Sequence, residues 1–216
     1  SAVSQHPYNE NIDQLTNLYN QGNYLAVIDF AEILTQKYPQ SFDVWNFLGA
    51  ANKSLGLIPE ASKAFKKVTE LNPNYADGYN NMGVVLRQQG ELEAALKAYK
   101  KALLLKPDFA EAYNNIGIAY TNCRKNNKAI EFFNRAIEIN PSYPEAYNNR
   151  GNAFKEKREF ALALESYKKA VKINPSFIDA ISNTGIVYDI MNNFTKAEIY
   201  FTQAMSLNPT NTALLY

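Results

Sequence analysis

Apolar and small positions fall into two stripes of helical spacing that alternate along the chain and recur every 34 residues. The first stripe is marked by Gly49, Gly83, Gly117, Gly151 and Gly185. Four residues before each glycine stand Trp45, Tyr79, Tyr113, Tyr147 and Ile181. One before it are Leu48, Met82, Ile116, Arg150 and Thr184, and three after it Asn52, Leu86, Tyr120, Phe154 and Tyr188. At ~100° per residue these slots share one face with the glycine, which predicts an amphipathic helix. The second stripe opens twelve residues after the glycine with Ala61, Ala95, Ala129, Ala163 and Ala197. It continues through Phe65, Tyr99, Phe133, Tyr167 and Phe201, then Val68, Ala102, Ala136, Ala170 and Ala204. Leu71, Leu105, Ile139, Ile173 and Leu207 complete it. This is a second helix whose small residues permit close approach while the aromatic fills the gap between layers. A glycine inside a helix costs roughly 1 kcal/mol against alanine. Its recurrence therefore predicts a facing helix too close to tolerate a Cβ.

Turn signals separate the two helices: Gly56, Gly90, Asn126-Asn127 and Asn192-Asn193, with Pro59 suited to a first helical turn. Each period closes on Asn-Pro (Asn72-Pro73, Asn140-Pro141, Asn174-Pro175, Asn208-Pro209) or on Lys106-Pro107. Asn tolerates the left-handed conformation beyond a helix end, and proline stops the helix from continuing. Helix, turn, helix and stop, repeated, predict an all-α array.

An aromatic, then Gly, aromatic, Ala, aromatic, Ala and Pro in fixed slots resembles the tetratricopeptide repeat. The likeness runs from Phe42 to Asn211. It implies a right-handed superhelical solenoid of antiparallel helix pairs whose first helices line a concave groove, and a partner-binding scaffold without catalysis of its own. The expected organisation is a tail at 1–7, a degenerate repeat at 8–41, and repeats at 42–75, 76–109, 110–143, 144–177 and 178–211. In the degenerate unit Gly22, Ala26, Tyr38 and Pro39 fit, but Leu15 holds the glycine slot. Residues 212–216 read as the start of a further, truncated helix. Five residues are too few for the polar cap a solenoid end needs. A fragment of a longer protein is therefore expected, or a natural end that self-associates through Tyr188, Phe201 and Met205.

Composition narrows the partners. A net charge of +1 leaves no electrostatic footprint for nucleic acid. No apolar run reaches the ~18 residues of a membrane span. One cysteine excludes an internal disulfide or a thiolate cluster, and a cytoplasmic location is the mild expectation. No Ser-His-Asp set, metal cluster or Gly-rich phosphate loop stands out, so neither catalytic residues, a metal nor a cofactor is expected. His6 lacks a partner in the sequence, and Cys123, beside Arg124 and Lys125, reads as an incidental thiol.

The candidate chemistry lies on the opposite side of the first helix. Two residues before the glycine sit Asn81, Asn115, Asn149 and Asn183, and beside them Asn46, Asn80, Asn114 and Asn148. Asn is a mediocre helix former, yet its side chain both donates and accepts, matching a peptide amide. One Asn per helix pair, spaced by a packing distance of about 10 Å, would meet an extended chain rising ~3.3 Å per residue at every third residue. The alternative is an Asn inherited by duplication that only faces water. This ladder resembles the repeat region of O-linked N-acetylglucosamine transferases, where concave Asn residues hold substrate peptides. It also resembles the repeats of bacterial proteins that carry glycosyltransferase or sulfotransferase domains, so a substrate-recruiting arm is the second reading. Asp43, Asp77, Glu111, Glu145 and Asp179, six before the glycine, would form an acidic rail in the groove. The stronger reading of these acids is first-turn carboxylates favoured by the helix dipole. Chaperone-binding members of the family clamp a carboxylate with Lys or Arg two before the glycine. Here that slot holds Phe47 and the four Asn, so no binding of chaperone tails is expected.

Overall fold

The structure, a computed structural model, describes residues 9–207. Within that range the chain is helix and turn with no strand. It divides into two compact units between Pro107 and Asp108. The N-terminal unit holds α1 (Asn9–Asn20), α2 (Tyr24–Lys37), α3 (Phe42–Ser54), α4 (Ile58–Leu71), α5 (Ala76–Gln88) and α6 (Leu92–Leu105). The C-terminal unit holds α7 (Ala110–Asn122), α8 (Asn126–Ile139), α9 (Pro144–Glu156), α10 (Phe160–Ile173), α11 (Ile178–Ile190) and α12 (Phe194–Leu207). Inside each unit every helix packs on its successor, and α1, α3, α7 and α9 also reach the next but one. Each unit is thus an all-α array of helix pairs that bury their apolar faces against their neighbours. The tail at 1–7, His6, and residues 212–216 lie outside the described residues.

The recurring glycine answers to a side chain. A Cβ at Gly117 would sit 2.5 Å from Cε1 of Phe133, and one at Gly151 2.5 Å from Cε1 of Tyr167. What the glycine admits is therefore the aromatic sixteen residues later, on the second helix of its own pair, and no backbone. The first pair obeys the same rule with the sizes exchanged. Leu15 fills the glycine slot, and the residue sixteen later is Ala31; both are fully buried in one core. Large against small is kept, and only its direction is inverted. Val27 takes the buried small slot twelve residues after Leu15; Ala26, one position earlier, is only half-buried. The sequence reading chose the wrong one of the two.

The helix ends also differ from the sequence reading. Asn72, Asn140 and Asn174 are not left-handed: their φ values are −129°, −129° and −126°. A residue before proline is pushed to extended backbone by the ring. Their side chains accept the N–H two residues on, from Asn74, Ser142 and Ser176. The left-handed residues lie instead in the turn inside each pair, at Gly22, Gly56 and Gly90 and then at Arg124, Arg158 and Asn192. Asn126 and Asn127, expected to turn, already begin α8. Arg124 (φ +55°) and Arg158 (φ +61°) hold a conformation that costs a side-chain-bearing residue about 1–2 kcal/mol.

Candidate functional site

The five acids occupy the first turns of α3, α5, α7, α9 and α11, where the helix dipole favours a carboxylate. Asp77 is half-buried and Asp43, Glu111, Glu145 and Asp179 are exposed. Two tyrosines that the sequence reading passed over stand among them, eight residues before the glycine. Burial pushes the Tyr143 hydroxyl up to about 12, and Glu111 and Glu145 push it the same way. Its bond with Asn114 works against them. Tyr75 is raised by burial and then by Asp77 and Asp43. Each hydroxyl thus stands protonated between acids of successive pairs, a donor in an acidic row. A periodicity of aromatics at Tyr75, Phe109, Tyr143 and Phe177 was the signal available for it.

The Asn slots split into two classes. Asn80, Asn114 and Asn148 are buried, as is Asn115, while Asn81, Asn149 and Asn183 are half-buried. In the C-terminal unit Asn149 donates Nδ2–H to Asn114 Oδ1 at 3.0 Å, and Asn183 donates to Asn148 Oδ1 at 3.0 Å. The inner Asn of one pair is thereby tied to the outer Asn of the next. Each bond consumes one donor of the outer amide and fixes its rotamer, and among the described residues nothing donates to Oδ1 of Asn149 or Asn183. In the N-terminal unit Asn81 Oδ1 accepts from Lys53 Nζ at 3.3 Å, and Asn46 Oδ1 is buried without a partner. The ladder is therefore partly a fastening between helix pairs, which spacing alone did not disclose.

Other polar side chains of the C-terminal unit are also committed. Arg150, in a slot that is apolar in the three preceding pairs, donates to Ser166 Oγ and Asn134 Oδ1, and burial lowers its pKa. Tyr167 donates to Asn152 Oδ1 at 2.8 Å, and burial raises its hydroxyl. A cavity of about 430 Å³ opens beside the outer ladder, lined by Asn183, Asn152, Asn122, Lys155 and Arg124 among others. Cys123 is a half-buried free thiol. Among the described residues no group of His, Cys, Asp and Glu is placed to hold a metal, and no helix is long and apolar enough to cross a membrane. Of the side chains expected at an open end, Tyr188 is buried and stacked on Tyr200, while Phe201 and Met205 are half-buried.

Comparison with known proteins places these pairs. Models described as tetratricopeptide repeat match residues 42–75, 64–97, 110–143, 144–177 and 179–211, and one described as TPR repeat matches 83–122. No curated protein sequence matches the chain. Among solved structures, a crystal structure of MamA is 28% identical over 77% of this chain and 97% of its own, with a TM-score of 0.63. PilF of Pseudomonas aeruginosa is 18% identical over 95% of this chain and 94% of its own, at a TM-score of 0.77. YrrB, described as a TPR protein with an unusual peptide-binding site, is 19% identical over 86% of this chain and 95% of its own, at 0.59. The last two likenesses concern the fold alone.

Proposed function

The chain belongs to the tetratricopeptide repeat family, and from that premise we propose that its C-terminal unit grips an extended segment of a partner protein along Asn115, Asn149 and Asn183. Asn81, whose oxygen accepts from Lys53, would offer its amide nitrogen instead in the N-terminal unit, and no reaction is catalysed on the bound segment. One observation carries the reading. Asn149 and Asn183 hold their amides by the nitrogen and leave the oxygen without a partner among the described residues. A fixed, half-buried acceptor suits a backbone N–H, because its desolvation is already met and its rotamer already ordered. Asn114 and Asn148 then act as positioning residues behind the groove. The acids Asp77, Glu111 and Glu145 would favour donors on the segment. That YrrB carries a peptide-binding site supports such a use of the fold. The same groove could serve as the recruiting arm of a transferase, a reading that rests on the resemblance of the ladder alone.

Display of random twelve-residue peptides against the full chain tests this. Selected peptides should lose about tenfold or more in affinity to an Asn149→Ala, Asn183→Ala double variant, at about 0.5–1.5 kcal/mol per hydrogen bond. Circular dichroism verifies that the variant is folded. Selected peptides that ignore both substitutions would remove the groove from the account.

A second reading has its own observation. Phe194 is 63% exposed on α12 and helps Phe201 and Met205 to line a cavity of about 300 Å³. Contact between two copies would cover this face. Sedimentation should then show an association that Phe194→Glu abolishes, and a strictly monomeric chain at high concentration would dismiss it.

A further inference from the structure

We propose that the turns inside the α7/α8 and α9/α10 pairs form an anion-binding rim, and that the segment held by the C-terminal unit carries phosphoryl or clustered carboxylate groups there. The inference rests on the groove reading, since the rim and the outer Asn ladder share a wall. Residues 124–128 and 155–159 hold six cations against two carboxylates, in a chain whose net charge is only +1. The slots of 124–128 in the N-terminal unit, residues 22–26, 56–60 and 90–94, contain no Lys or Arg, whereas those of 155–159 carry Lys53 within 53–57 and Arg87 within 87–91. The charge of 124–128 is a local addition to the repeat, and that of 155–159 extends a cation already present four residues after Gly49 and Gly83.

Folding concentrates it. A cavity of about 560 Å³ is lined by Arg124, Lys125, Lys128, Lys157, Asn126 and Asn127, with no carboxylate on its wall. Arg124 and Asn126 also line the cavity that contains Asn183, together with Lys155 and one acid, Glu156. Two of these cations are engaged elsewhere: Lys157 pairs with Glu159 at 2.5 Å, and Lys128 lies over the Tyr120 ring at 5.8 Å. Arg124, Lys125, Lys155 and Arg158 enter no ion pair among the described residues. Unneutralised cations around a concavity focus positive potential into it. Arg124 and Arg158 stand at positive φ in the slot that Gly22, Gly56 and Gly90 fill in the earlier pairs. An arginine fork there can meet a phosphoryl or carboxylate group with two parallel hydrogen bonds. The neighbouring Asn122, Asn126 and Asn152 supply neutral amides, and the ladder runs on from Asn183, so a chain and its anion can be held together.

The repeats themselves supply the test variant. Glycine occupies the Arg124 slot and glutamate the Lys125 slot in the pair before it, as Gly90 and Glu91. Arg124→Gly with Lys125→Glu therefore keeps the turn. The full chain is titrated, with backbone amide shifts as readout, against three probes. These are a ten-residue Gly-Ser peptide with two central phosphoserines, its unphosphorylated twin, and a ten-residue oligothymidylate. The phosphorylated peptide should bind at least tenfold tighter than its twin, move the amides of residues 124–128 and 155–158, and weaken as salt rises. The turn variant should erase that advantage and leave the twin unaffected, whereas Asn149→Ala with Asn183→Ala should weaken both peptides alike. Equal binding of the two peptides would leave the groove standing and overturn the rim. A phosphate preference that survives the turn variant would overturn it too, as would oligothymidylate binding tighter than the phosphopeptide. If neither peptide binds, rim and groove fall together.

Discussion

Asn81 in the N-terminal unit and Asn149 in the C-terminal unit are the same residue in the same slot, and they make opposite use of the amide. Asn149 spends its nitrogen on Asn114 and keeps its oxygen open. Asn81 gives its oxygen to Lys53, and Asn46, the residue corresponding to Asn114, has a buried oxygen with no partner. One difference lies four residues after the preceding glycine, although a lysine there is not sufficient, since Lys155 holds that slot before Asn183 and leaves the Asn183 oxygen open. Lys53 is long enough to cross to the next pair, whereas Thr121 is short and returns its hydroxyl to the Gly117 carbonyl at 3.1 Å. Identical rungs are therefore not equivalent rungs. Whether an inherited Asn reads a ligand is decided by the neighbour that does or does not occupy its acceptor.

The largest effects should come from the core pairs that set the helices apart. Phe133→Ala should cost about 3–5 kcal/mol, and Gly117→Leu about 1–3 kcal/mol or more by overpacking. Combined, they copy into the C-terminal unit the Leu15 and Ala31 arrangement of the first pair. The double variant should recover part of the loss, with a coupling of about 1–3 kcal/mol in denaturant melts. Plain additivity would mean that the inverted pairing of α1 and α2 is not a local exchange of volumes.

Next comes the ladder itself. Asn149→Ala leaves Asn114 Oδ1 buried and unpaired and should cost about 1–3 kcal/mol. Asn81→Ala removes a half-exposed contact with Lys53 and should cost less than about 1 kcal/mol. Equal losses would erase the distinction between the units. The acidic row gives a smaller, pH-dependent effect. Tyrosine in an unfolded chain ionises near ~10, whereas Tyr143 holds its proton to about 12. Between these values the unfolded state binds fewer protons, so stability falls as pH rises from 10 to 12. Allowing for partial solvent screening, Tyr143→Phe should remove about 1–2 kcal/mol of that fall. A melting profile unchanged over that range would show that the hydroxyl is not held among the acids. Smallest is Arg124→Gly, which relieves a left-handed arginine at the expense of chain entropy. A net gain of about 0.5–1 kcal/mol is expected, and a loss would show that the arginine side chain packs.

The helices and their pairing were legible in the sequence because one period repeats them until the slots are unmistakable. The glycine's partner was not: spacing marks a close approach without saying that the aromatic sixteen residues on makes it. Burial within the Asn slots was not. At ~100° per residue Asn114 and Asn115 are neighbours on one surface, and only the next pair decides which of them is covered. The Asn-Pro steps misled for a different reason: the preference of Asn for the left-handed region yields to the proline ring that follows. Arg124 and Arg158 went unnoticed because neither is a turn residue by type; only their distance of 34 residues from Gly90 and from each other marks the slot.

The account stands most directly on the open acceptors of Asn149 and Asn183. A peptide selected against the full chain should be resynthesised with each backbone nitrogen methylated in turn, and its affinity measured by calorimetry. Loss of binding at nitrogens about three residues apart, and tolerance between them, is the result expected when successive Asn oxygens receive the backbone N–H groups. Uniform tolerance of methylation along the whole peptide would contradict it.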